Sequence, residues 1–180
     1  MEPHVTHYSI MPIPPVEEQT SYFEAGPITI GVEYRLLNDA IGARHLDANS
    51  PDMQGVEGID DRGVSLHVFA RHTDGEPTEH LRFDCFDEDP HYHYIDWQGE
   101  ANDMVHVDTV ADGDPLAWAL DRIRTRLAQM LERAGAGDVA IDSAALEAIL
   151  PRVSEAAYRA RYEHDDAATL KGALGGGTGA

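Results

Sequence analysis

The chain has 180 residues, 42% hydrophobic and 26% charged, a balance that suits one globular domain with its own core better than two. Thirteen Lys and Arg stand against 33 Asp and Glu, giving a formal charge of −20, so phosphate-rich partners are repelled and no nucleic acid is expected as a ligand. No run approaches the ~18 apolar residues of a bilayer span, and Cys85 is the one cysteine; no membrane association, no intramolecular disulfide and a cytoplasmic, reducing setting are therefore expected.

Residues 1–27 carry Pro3, Pro12, Pro14, Pro15 and Pro27 among scattered apolar residues, with neither helical nor strand period, and read as an extended Pro-rich arm. Met11, Ile13, Val16, Tyr22 and Phe23 are costly to leave in water. The arm is expected to lie against its own domain or against a protein partner or second copy of the chain.

A single α+β domain is expected over residues 28–163. Alternation of Ile28, Ile30, Val32, Tyr34 and Leu36 with Thr29, Gly31, Glu33 and Arg35 predicts a half-buried strand. Residues 38–63 lose all period and read as a long loop. Two strands around residues 64–70 and 81–85 form a hairpin, a fourth strand runs from His91 to Trp97, and a fifth from Met104 to Val110. Together they predict an antiparallel meander of about five strands.

Asp114-Pro115 is an N-cap with proline at the first helical position. Leu116, Leu120, Ile123, Leu127, Met130 and Leu131 then recur at helical spacing, so one long amphipathic helix follows. Its outer face bears Arg122, Arg124, Arg126 and Arg133. A second helical segment opens at Asp142 or Ser143 and is expected to break or restart at Pro151. Residues 164–180 end in Gly-Gly-Gly-Thr-Gly-Ala and read as a flexible tail.

Strand parity separates two unlike faces. If the turn at residues 87–90 pairs Phe86 with His91, then Leu81, Phe83 and Cys85 face the helix with Leu66, Val68, Val105 and Val107. The opposite face collects Glu33, Arg35, His67, Arg82, Asp84, His91, His93, His106 and Asp108. Four histidines with several carboxylates support two chemistries. His91-x-His93 puts two imidazoles on one side of a strand, and His67, His106, Asp84 or Asp108 could complete the shell of one divalent transition metal. Without a metal, His93 with Asp84 forms an acid/base pair, and Arg82 holds an anionic substrate. A solvated or subunit-covered polar face without chemistry is the third alternative. Cys85, on the apolar parity, reads as a core residue rather than a nucleophile.

The run Arg82-Phe83-Asp84-Cys85-Phe86-Asp87, followed by Pro90-His91-Tyr92-His93-Tyr94, resembles the core hairpin of an uncharacterised bacterial domain family. The likeness covers residues 64–134 and implies no activity. On the sequence, the preferred function is a non-catalytic accessory or interaction protein, a subunit of a larger assembly held through the arm. The alternative is a small metal-dependent enzyme working from the histidine face.

Overall fold

The computed structural model describes residues 5–37, 61–73 and 75–175. The predicted loop over residues 38–60 and the last five residues of the Gly-rich tail lie outside the described residues. The elements are β1 (Val5–Tyr8), a 3-10 turn (Glu17–Gln19), β2 (Thr20–Ala25), β3 (Ile28–Leu37), β4 (Asp61–Ala70), β5 (Thr78–Phe86), β6 (His91–Asp96), β7 (Ala101–His106), α1 (Thr109–Asp112), α2 (Pro115–Arg133) and α3 (Ser143–Gly175).

All seven strands form one antiparallel sheet in the order β1-β7-β6-β5-β4-β3-β2. The α+β class and the meander β3 to β7 agree with the sequence reading, while the expected five strands become seven among the described residues. Both additional strands come from the segment read as a Pro-rich arm. β1 pairs with β7 at one edge and β2 pairs with β3 at the other, so both strands belong to the chain's own sheet, while Val16 and Tyr22 stay exposed.

The apolar face carries Ile28, Ile30, Val32, Leu66, Val68, Leu81 and Phe83, all nearly or fully buried. α2 covers it with Leu116, Ile123, Leu127 and Leu131, and α3 adds Leu146, Ile149, Leu150 and Val153. Both helices begin as their sequences dictate, with Asp114 accepting from Ala117 N and Asp142 from Ala145 N. Contrary to expectation, α3 runs unbroken through Pro151 and on to Gly175. Pro151 removes the bond to the carbonyl of Glu147, but both residues are exposed and water can serve that carbonyl, while the buried stripe continues from Leu150 to Val153.

β7 ends at His106 rather than reaching Val110. Asp108 instead caps α1, its carboxylate accepting from Val110 N and Ala111 N, and Val110 is fully turned out to solvent. No helix among the described residues is long and apolar enough to cross a membrane.

Candidate metal centre on the polar sheet face

The polar face is built as parity predicts, with one register correction. Asp84 pairs with His91 and Arg82 with His93, where the sequence reading placed His91 opposite Phe86. The difference is two residues, one full pleat, so every side chain keeps its face. The connection between the two strands is held by Asp61, whose carboxylate accepts from Glu88 N and Asp89 N.

Asp84, His91 and His93 converge. Asp84 Oδ2 lies 3.4 Å from His91 Nε2 and 3.5 Å from His93 Nε2, and one ligand atom from each residue lies within 4.8 Å of the others. Metal–ligand bonds of roughly 2.0–2.2 Å require separations of this size between neighbouring donors.

The imidazoles are also turned the right way. His91 Nδ1 donates to the Asp89 carbonyl at 2.7 Å, and His93 Nδ1 donates to Asn102 Oδ1 at 2.8 Å. With Nδ1 so engaged, each ring turns Nε2 towards Asp84, the outer-shell arrangement that orients histidine ligands. The other oxygen of Asp84 accepts from Ser65 Oγ.

Electrostatics favour an ionised carboxylate. Burial alone would raise Asp84, but hydrogen bonds from His91 and His93 and the charge of Arg82 hold it well below the usual range. Burial lowers His93, whereas for His91 burial is outweighed by the hydrogen bond and charge of Asp84 together with the Asp89 carbonyl and carboxylate, and the imidazole is raised. Two imidazoles and a carboxylate, with further positions open to water, form a donor set that suits zinc or iron(II).

The remaining predicted site residues do not join this cluster. His67 is wholly buried, with Nδ1 at 2.6 Å from Glu79 Oε1 and Nε2 at 3.0 Å from Glu33 Oε2, so neither nitrogen is free to coordinate. Arg82 gives both Nε and Nη2 to Glu79 at 2.9 and 2.7 Å and is 2% exposed, which leaves it unsuited to holding a substrate. His106 lies in solvent with Nδ1 on Asp89 Oδ1 at 2.7 Å, and Asp108 is the helix cap described above. Cys85 lies on the apolar face as expected, and burial pushes its thiol up, away from nucleophilic character.

Three contributors escaped the sequence reading: Glu79, Ser65 and Asn102. Simple alternation from Leu81 would put Glu79 on the apolar face. A β-bulge inserts His80 opposite the Val68/Phe69 step, and Glu79 returns to the polar side to meet His67 and Arg82. Ser65 shares the parity of His67 and was visible as a neighbour. Asn102 precedes the point at which the fifth strand was expected to begin.

The residues between β1 and β2 pass along this polar face from edge to edge. Asn102 Nδ2 donates to the Ile10 carbonyl at 2.9 Å, Arg35 reaches the Ile13 and Pro14 carbonyls at 3.4 Å, and Val16 N donates to Glu33 Oε1 at 3.2 Å. Ile10, Met11 and Ile13 are half-buried beneath this path. The chain's own N-terminal strap therefore shields the inner part of the face and leaves the His91 end the more open.

Residues 22–157 match the model of a family described as a domain of unknown function, DUF7700. The chain belongs to the DUF7700 family. No curated protein and no solved structure matches it. The DUF7700 match takes in β3 to β7 and all three triad residues, and extends on both sides of the hairpin that carried the resemblance. In this DUF7700 domain the triad lies at the centre of the sheet, on β5 and β6, where strand pairing on both sides fixes the backbone.

Proposed function

We propose that the protein is a small metal-dependent enzyme that binds one divalent transition metal through Asp84, His91 and His93. The observation carrying this reading is the convergence of His91 Nε2 and His93 Nε2 on Asp84 Oδ2, with both Nδ1 atoms engaged by the Asp89 carbonyl and Asn102 Oδ1. A metal bound by three protein ligands keeps at least one position for water or substrate and acts there as a Lewis acid. Ser65 fixes the Asp84 carboxylate, and the strap keeps bulk water from the buried side of the site. Elemental analysis of untagged protein purified without chelator tests the reading. Wild type is expected to hold about one equivalent of zinc or iron more than the His91→Ala/His93→Ala double variant; metal-free wild type, or metal content unchanged in the variant, would overturn the reading.

A second reading, an accessory subunit in a larger assembly, draws on the arginines of α2. Arg124 and Arg126 are exposed on a strongly acidic chain. Its other motive, a free apolar arm, is weakened because β1 and β2 belong to the chain's own sheet. Gel filtration at low and high salt separates the two: association strengthened by salt, which screens the net charge, supports the subunit, and a monomer at every salt concentration opposes it.

A further inference from the structure

A second pair of imidazoles meets away from the triad, where the β4–β5 turn touches the connection between α2 and α3. His80, the bulged residue of β5, is buried, and its Nδ1 donates to the Ala134 carbonyl at the end of α2 at 2.9 Å. His72, in the turn, donates from Nδ1 to Asp138 Oδ2 at 2.9 Å. The two Nε2 atoms then face each other 3.2 Å apart, with the rings near perpendicular at 68°.

With both protons on Nδ1, neutral rings would set two lone pairs against each other, and a cation between them removes that conflict. For metal–nitrogen bonds of roughly 2.0–2.1 Å, nitrogens at this separation subtend an angle of about 100°, between square-planar and tetrahedral values. Asp138 behind His72 completes a carboxylate–histidine–metal relay, and the Ala134 carbonyl does the same for His80.

We propose that His72 and His80 form a second transition-metal site, for a divalent ion of the class imidazole prefers, such as Zn2+ or Cu2+. Water fills the remaining positions. The ion ties the α2–α3 connection to the β4–β5 hairpin, and this inference stands independently of the triad.

The test is calorimetric titration of chelator-stripped protein with zinc chloride, comparing wild type, His72→Ala, Asp138→Asn and the His91→Ala/His93→Ala double variant. His72 is on a partly exposed turn, so its removal leaves the core intact. His72→Ala is expected to bind one equivalent fewer than wild type, whatever the triad binds, and to lose the zinc-dependent part of its thermal stabilisation. Asp138→Asn is expected to weaken this site roughly tenfold. If the double variant folds, it retains the equivalent that His72→Ala lacks. Stoichiometry and zinc-induced melting shift identical in His72→Ala and wild type would overturn the proposal.

Discussion

Asn102 Oδ1 accepts the Nδ1 proton of His93 at 2.8 Å while the Nδ2 of the same amide donates to the Ile10 carbonyl at 2.9 Å. One side chain thus orients an imidazole of the proposed metal site and anchors the strap above it. Asn102→Ala is expected to lower metal affinity by about 10- to 100-fold, whereas Asn102→Asp, which retains the acceptor for His93 and loses the donor to Ile10, should keep most of it. Competition against a chromophoric chelator measures both, and equal losses would show that the strap rather than the tautomer controls affinity.

Glu79 is the counter-ion of a fully enclosed guanidinium. Glu79→Gln keeps the shape but leaves Arg82 buried beside a neutral amide, and breaking a buried pair in this way costs about 3–5 kcal/mol. Urea denaturation should show a lower midpoint with unchanged slope.

Acid should unfold the protein through the same face. Burial disfavours the charged form of Glu79, but Arg82 and His67 hold it down to about 2, against an ordinary 4.5, and Asp84 is also depressed. Carboxyls lowered on folding contribute stability that is complete above their unfolded values and lost as pH falls through the folded ones. His91, raised on folding, contributes in the opposite sense, and its part is lost as pH rises through its elevated value. The urea midpoint of metal-free protein should therefore drop steeply from about pH 5 towards pH 2, and Glu79→Gln should flatten that fall.

Gly63 begins the polar run of β4 at φ +156°, and an added Cβ would strike the Cys85 carbonyl oxygen and crowd Phe86 Cα at 2.8 Å. Both obstacles are backbone, so nothing flexible can move aside. Gly63→Ala should cost at least about 2 kcal/mol, read as a lower thermal midpoint, while Gly75→Ala, with nothing within 4 Å, should be close to neutral.

The two-faced sheet was legible because period-two alternation in β3 to β6 is nearly unbroken, and parity survives a shift of a full pleat. Thus Asp84, His91 and His93 were grouped correctly although their pairing was displaced by two residues. Burial and partner choice were not legible. His67 has the same parity as the triad, yet it is enclosed by Glu33 and by Glu79, whose facing depends on the bulge at His80. β1 has only four residues and β2 follows a proline-rich stretch, so neither offers enough alternation to reveal a strand. Asp108 continued the strand pattern on paper, but its carboxylate serves the α1 backbone instead.

The placement of β1 and β2 at opposite edges has a consequence for biosynthesis. Among the described strands, the first in sequence order pairs with the last, with His7 meeting Asp103 across 96 residues. β1 cannot pair until β7, which ends at His106, has been synthesised, and the strap that follows β1 then closes over a face already assembled. Contacts of such long sequence separation form late and slowly, so the folding chain would present its histidine-rich face uncovered to solvent before β1 and the strap dock.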